Sequence, residues 1–390
     1  MEIKAFDGAT PINDEQAGEA LDLAVAQVHR NLPDFTYNCQ NHSSVKGFYS
    51  PCGNNQWTCG FWPGEVWLAY ERTKDESFRE SGDILVQSFL ERIRKKIEVD
   101  HHDMGFLYTP SCVAAYQLTG NQAAREAALL AAQQLASRFQ PVGEFIQAWG
   151  TLGAKDNYRY IIDCLLNLPI LYWAQNETGN DRYGDIARRH MRTCLAGSIR
   201  PSGSTFHTVY MDSRTGAFLY GRTCQGYRDD SSWARGQAWA VYGTALCYRY
   251  ANRPEYLEAF EHVLAYYLSR LPKDLVPYWD LDFGDGDNEP RDSSSASIVA
   301  CGLLEMAKLS SPEKAGVLET IARQMMYSVW VNYSVQDPAI SNGQVLHGTY
   351  SKKSPYNTCT PEGVDECVSW GDYFYMEALT RLTGNWKSYW

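Results

Sequence analysis

Six short turns of one kind recur along the chain, and they constrain its fold more than any other feature. Each ends an apolar, aromatic segment and opens a more amphipathic one. The copies are AYERTKDESFRE (69–80), AYQLTGNQAAREA (115–127), YWAQNETGNDRYGDIA (172–187), YRYANRPEYLEAF (248–260), EMAKLSSPEKAGVLE (305–319) and ALTRLTGNWKSYW (378–390). Gly120, Gly179 and Gly384 suit the left-handed position that stops a helix, while Asp75, Pro254 and Pro312 suit a first helical turn. The turns therefore join helix to helix. Segments 122–138 and 254–270 carry apolar residues at three- and four-residue spacing with charges between them, so each has one wet face. Segments 62–70, 161–173 and 298–309 are apolar nearly all round.

Adding an opening helix near 15–31 and a closing one near 372–383 gives twelve helices. Alternation of wet-faced and buried helices is what six hairpins closed into a double ring require, with the first helix beside the last. The expected fold is all-α, an (α/α)6 barrel formed as one domain over residues 1–390. An open helical solenoid shares the local pattern, but the uneven spacing favours a closed toroid with long functional loops.

Composition narrows the function. Aromatic residues make up 13% of the chain, with 26 Tyr and 12 Trp, flat amphipathic side chains of the kind that line carbohydrate sites. The net charge is −11 and no basic run exceeds Arg94, Lys95 and Lys96, which argues against nucleic acid and anionic membranes as partners. Eleven Cys show neither a CxxC pair nor zinc-ligand spacing, so free thiols in a reducing cytoplasm are expected. The amino terminus has no basic stretch followed by an apolar one, and no window approaches ~18 apolar residues, so neither secretion nor membrane spanning is expected.

If the short turns occupy one end of the barrel, the segments leading into the inner helices gather at the other. These are NNQWTCGFWPG (54–64), HHDMGF (101–106), YRYIID (158–163), DDSSWARGQAW (229–239), EPRDSSSAS (289–297) and SWGDYF (369–374). All six are polar or aromatic, and helix amino termini suit acidic groups. Asp163 heads the otherwise apolar IIDCLLNLPIL (161–171), where an unpaired carboxylate is costly; it is either a helix cap or part of a site. Asp103 poses the same choice. His101, His102 and Asp103 lack a longer ligand pattern, so neither a metal nor a cofactor is expected. Arg235, inside SSWARGQAW, needs an anionic or carbonyl partner. Trp57, Trp62, Trp149, Trp233 and Trp239 could each be core or a sugar platform.

At these residues the chain resembles the unsaturated glucuronyl hydrolases, glycoside hydrolase family 88. The phrases that carry the resemblance are DHHDMGFLY (100–108), IQAWG (146–150), IIDCLLNLP (161–169), FHTVYMD (206–212), SWARGQAWAVYG (232–243), YWDLDF (278–283), RDSSSASIVACGLLE (291–305) and WGDYFYMEAL (370–379). They span almost the entire chain, and the family's fold is also an (α/α)6 barrel. The resemblance implies Asp163 as catalytic acid/base and Asp103 as the second carboxylate. It also implies substrate contacts from Trp57, His102, Trp149, His207, Gln225, Arg235 and Trp239, with Trp57 and Trp149 as stacking surfaces and Arg235 or His207 offsetting the uronate charge. The implied substrate is an unsaturated uronate disaccharide or oligosaccharide made by a polysaccharide lyase from glycosaminoglycan, in a bacterium.

In the loop GTYSKKSPYN (348–357), Ser351 and Ser354 stand where some family members contact sulfate, but Tyr356 stands where those members have a lysine; Lys352 and Lys353 could substitute. Other readings remain open here. An unsaturated rhamnogalacturonyl hydrolase shares fold and chemistry, a sugar epimerase on the same barrel would need paired His bases, and a non-catalytic sugar binder would not need both carboxylates.

Overall fold

Two concentric rings of helices close the chain on itself. The structure, a computed structural model, describes residues 3–390. The outer ring holds α1 (Asp14–Phe35), α3 (Glu76–Arg94), α5 (Gln122–Ser137), α7 (Asp181–Ser198), α9 (Pro254–Ser269) and α11 (Pro312–Tyr333). The inner ring holds α2 (Phe61–Thr73), α4, α6, α8 (Ala234–Ala251), α10 (Ser293–Ala307) and α12 (Ser369–Thr383). Helix α4 runs from Met104–Tyr108 through a π-helical turn, Thr109–Val113, into Ala114–Thr119. Pro110 lies in that turn and has no N–H to give to a regular helical ladder. Helix α6 comprises Cys164–Asn167 and, after Leu168, Pro169–Thr178. Each inner helix packs on the next, α12 returns to α2, and α1 packs against α12. This is the (α/α)6 barrel that the turns predict.

The inner ring is tight because its helices meet backbone to backbone at glycine. A Cβ on Gly105 of α4 would lie 2.5 Å from the Cα of Asn167 in α6, and one on Gly243 of α8 would lie 2.4 Å from the Cβ of Leu165. Either substitution must push two inner helices apart.

The short turns follow the expected stop chemistry at Gly120 (φ 71°) and Gly179 (φ 72°), and Lys74 and Asn252 are also left-handed. Gly384 is a correction: its φ of −173° is extended, so α12 ends without a left-handed cap. Pro254 and Pro312 open α9 and α11, and the Asp75 side chain caps α3 by accepting from Ser77 N at 2.9 Å.

Helix starts differ by ring. Asn13, Asp75, Asn121 and Asn180 cap outer helices with side-chain hydrogen bonds. None of the residues before the inner helices does so: Gly60, Asp103, Asp163, Trp233, Asp292 and Val368 all lack a side-chain cap bond. Asp103 and Asp163 are therefore not held in place by capping, which removes the bland explanation for both.

The sequence reading missed the strands. The long connections before inner helices carry four small sheets, all antiparallel. β1 (Cys39–Gln40) pairs with β2 (Pro51–Cys52) and β3 (Phe139–Gln140) with β4 (Phe145–Ile146); the largest sheet joins β5 (Arg159–Ile161), β6 (Thr208–Met211) and β7 (Phe218–Arg222), and β8 (Gly348–Ser351) pairs with β9 (Glu362–Glu366). They wall the mouth where the inner helices begin. Among the described residues, no helix is long and apolar enough to cross a membrane.

Candidate active site

A cavity of about 490 Å³ opens at this mouth, within the range of small-ligand sites. Its lining includes Trp57, Asp103, Trp149, Asp163, His207, Gln225, Arg235, Trp239 and Ser351, nine of the expected site residues drawn from separate segments of the chain. His102 and Ser354 do not line it.

His102 instead lies behind the cavity wall, 1% exposed, hydrogen-bonded to Asp163 and within ion-pair distance of Asp103. Its Nε2 is 2.7 Å from Asp163 Oδ1 and 3.4 Å from Asp103 Oδ1, while Nδ1 has no partner. The shared proton therefore sits on the Nε2 side. Burial disfavours the imidazolium, but the charges of Asp103 and Asp163 outweigh it and raise the His102 pKa.

The two carboxylates are pushed apart in acidity. Burial first, then the nearby charge of Asp103, raises Asp163 above the usual carboxylate range, against the opposing pull of His102 and Arg235. Burial would raise Asp103 as well. There the charge of His102 and hydrogen bonds from His101 and Trp149 prevail and hold it below that range. One cation serves two acids, and their surroundings push the two acidities in opposite directions. Asp163, whose side chain is 17% exposed, is the one open to the cavity; Asp103 is only 2% exposed, and its Oδ1 has no hydrogen-bond partner.

His102, Asp103 and Asp163 bring one nitrogen and two carboxylate oxygens within 4.8 Å of one another, the donor set of a small metal site. The 2.7 Å contact between His102 and Asp163 is shorter than the roughly 3.3 Å expected between two ligands of a tetrahedral ion. These atoms are spaced for a shared proton.

The aromatic walls are braced from behind. Trp149 stacks on His101 with ring centroids 4.0 Å apart and 9° between planes. Trp57 stacks on Trp370 at 5.2 Å and donates its Nε1–H to the Tyr350 hydroxyl at 3.0 Å. Both indoles thus have one face covered and an edge or face at the cavity, the arrangement of a fixed sugar platform.

Arg235 has the partners its burial demands. It donates to Asp292 Oδ2 (3.0 Å), Thr349 O (2.6 Å) and Tyr350 O (2.6 Å), and lies between the rings of Trp233 and Trp370, 4.4 and 4.7 Å from their centroids. Its buried Nε–H has no protein partner.

His207 corrects an expectation. Burial, helped by Arg235 and Arg159, lowers its pKa to about 3, so it is a neutral imidazole and cannot offset a uronate charge. Its Nδ1 accepts the backbone N–H of Cys224 (3.1 Å) and Gln225 (3.3 Å), which places the proton on Nε2 as a neutral donor.

The hydroxyls and lysines of the 351–354 loop have partners within the protein. Ser351 Oγ donates to Thr360 O (2.6 Å) and Ser354 Oγ to Tyr227 O (2.6 Å), away from the cavity in the second case. Lys352 is paired with Glu289 and Lys353 donates to Asn357 O, so neither is a free substitute for the missing lysine.

Sequence reasoning missed Arg159, Arg222, Tyr350, Thr360 and Glu362, which also line the cavity. A signal existed for Arg159: in RYIID (159–163), period-two alternation puts Arg159, Ile161 and Asp163 on one side.

Paired acids with separated pKa values, set among indoles in a cleft of a helical barrel, define a carbohydrate-processing site. Residues 34–323 match Glycosyl Hydrolase Family 88, and the chain belongs to that family. It is 44% identical to the unsaturated chondroitin disaccharide hydrolase of Streptococcus pneumoniae, over 96% of this chain and 94% of that one. The crystal structure of unsaturated glucuronyl hydrolase from Streptococcus agalactiae superposes with a TM-score of 0.94 at 40% identity, covering 100% of this chain and 99% of that one. A mutant of that enzyme complexed with dGlcA-GalNAc6S gives a TM-score of 0.85 at 37% identity, with both chains covered in full.

Proposed function

We propose that the protein hydrolyses unsaturated glucuronyl oligosaccharides released by lyases from glycosaminoglycans, by adding water across the C4=C5 vinyl ether of the terminal uronate. The relatives' names favour this over a pectin-directed reaction. The observation that carries it is the single imidazole of His102 holding Asp103 and Asp163 side by side. Ordinary glycosidases set two carboxyls astride the scissile bond, about 5–5.5 or 6.5–9.5 Å apart. Two acids clipped to one ring reach the substrate from one side only.

In this reaction protonated Asp163 gives its proton to C4, and positive charge develops at C5 and the ring oxygen. The Asp163 carboxylate then takes a proton from a water that attacks C5, which restores the acid. The C5 hemiketal opens to a ketone, leaving a hemiacetal at C1 that releases the partner sugar. Asp103 stays ionised and accepts sugar hydroxyls; Trp57, Trp149 and Trp239 hold the ring, Gln225 and the neutral His207 donate to oxygens, and Arg235 offers its free Nε–H to the uronate. Neither His101 nor His102 lines the cavity, which disfavours an epimerase built on paired His bases.

All eleven thiols are unpaired, which suits a reducing compartment, so we place the reaction in the bacterial cytoplasm. The whole chain serves as one catalytic domain in this reading, since its first and last helices pair.

The test is direct. Added to a lyase-made unsaturated disaccharide, the protein should bleach the ultraviolet band of the conjugated uronate, and it should leave the saturated glucuronide uncut. A band that persists, or cleavage of both sugars alike, overturns the proposal.

A further inference from the structure

Arg159 and Arg222 are the cavity's unspent cations. They reach it from the two outer strands of the β5–β6–β7 sheet. Ile161 pairs with Thr208 and Thr208 with Arg222, while Arg159 pairs with Tyr210, so one face carries Arg159, Ile161, Thr208, Tyr210 and Arg222 to the cavity. The outer strands lie about 10 Å apart, a gap that two arginine side chains can span from opposite sides.

Among the described residues Arg159 has no carboxylate partner, and Arg222 has one long, solvent-exposed ion pair. Arg159 donates to the Tyr210 hydroxyl at 2.7 Å and lies 5.6 Å from that ring's centroid, but its Nε is buried without a partner. Among the described residues it forms no ion pair within 4.0 Å, although the chain carries a net charge of −11. Arg222 has only Asp229, at 3.8 Å, with both side chains about half exposed. The other cations at this mouth are engaged: Arg235 by Asp292, Lys352 by Glu289 and Lys353 by a carbonyl.

A half-buried guanidinium left without a counter-ion at a ligand cavity is set up to receive an oxyanion from the ligand, in the planar two-pronged geometry that arginine favours. Its place in the chain says which part of the ligand. Arg159 is four residues from Asp163, with strand β5 ending at Ile161 and a turn leading into Asp163, so at most about 13 Å of backbone separates them, a span within reach of a disaccharide.

We infer that Arg159 and Arg222 form a subsite for an acidic group, a sulfate ester or a carboxylate, carried by the sugars beyond the unsaturated uronate. This rests on the function proposed above. It assigns an anion preference to the sheet.

The experiment compares kcat and KM for three substrates: an unsulfated unsaturated disaccharide, the same disaccharide sulfated on its second sugar, and an unsulfated unsaturated tetrasaccharide, whose added charge is a carboxylate. Arg159→Gln with Arg222→Gln should raise KM about 10- to 100-fold for a charged substrate and leave kcat and the neutral-aglycone disaccharide within about twofold. Added salt should raise the wild-type KM for the same charged substrate. An effect confined to the sulfated disaccharide names sulfate as the ligand, and one confined to the tetrasaccharide names carboxylate. Equal losses on all three substrates, or no loss on either charged one, overturn the subsite. Arg222→Gln alone changes an exposed side chain, so it keeps the test valid if the double variant folds poorly. Wild-type protein inactive on every substrate would refute the proposed function instead, a separate outcome.

Discussion

Glu65 and Asp372 are a second pair of buried acids on the inner ring, and they differ from Asp103 and Asp163 in what surrounds them. Each is 1% exposed. Burial raises Asp372 to about 7 and Glu65 well above the usual range. Asp372 accepts from Val345 N at 2.9 Å and from the Tyr49 hydroxyl at 2.8 Å, and Glu65 accepts from Gln344 at 3.5 Å. All these partners are core, and neither acid lines the cavity. A raised carboxyl pKa is thus no mark of catalysis by itself. Asp163 differs in having a path to the cavity and a neighbour, His102, that holds it against an ionised partner.

The largest test of that contrast is Asp163→Asn. The rate should fall by at least about 10³-fold while folding is kept. Because the folded-state pKa of Asp163 lies above the unfolded value, its contribution to stability is full below about pH 3.9 and is lost as pH rises through the folded pKa. The variant escapes that loss, so its Tm at neutral pH should equal or exceed that of the wild type. In the wild type kcat should fall on an alkaline limb above the ordinary carboxylate range. An active variant, or a limb near about pH 4, breaks the comparison.

Asp372→Asn should do the reverse. Turnover should stay within about twofold, whereas the urea midpoint should lose the part of its pH dependence that Asp372 contributes. In the wild type the Asp372 contribution is full below about pH 3.9 and is lost as pH rises through about 7, with a slope of at most about 1.4 kcal/mol per pH unit. A large drop in rate would mean that this pair also serves the chemistry.

Ser354→Ala should show the smallest effect. Its hydroxyl donates to Tyr227 O and accepts from the N–H of Tyr356 and Asn357, so the loop should lose about 1 kcal/mol of stability. Turnover of sulfated and unsulfated disaccharides should change equally and by less than about twofold. A selective loss on the sulfated sugar would return anion binding to the loop.

The legible and the hidden parts of the site differ in the range of the interactions behind them. Gly120, Gly179, Pro254 and Pro312 announce their turns because backbone geometry acts within a few residues. Asp103 and Asp163 stand out because a carboxylate beside apolar residues is locally anomalous. The sheet escaped notice because strands of two to five residues give too few alternations to register, and their pairings are long-range. Gly384 does end α12, but in an extended conformation, because glycine permits a left-handed turn without requiring one.

By itself, then, the sequence determined that the chain makes helical hairpins, which of their faces are buried, and that its polar and aromatic cavity residues cluster ahead of the inner helices. Periodicity and cap chemistry are local, and they survive without knowledge of the partner. Only the tertiary structure decided that the acidity of Asp163 is shifted up and that of Asp103 down, that His207 is neutral, and that Arg159 and Arg222 share one wall. Charge state and ligand access depend on burial and on groups far apart in the chain, and those exist only once the ring has closed.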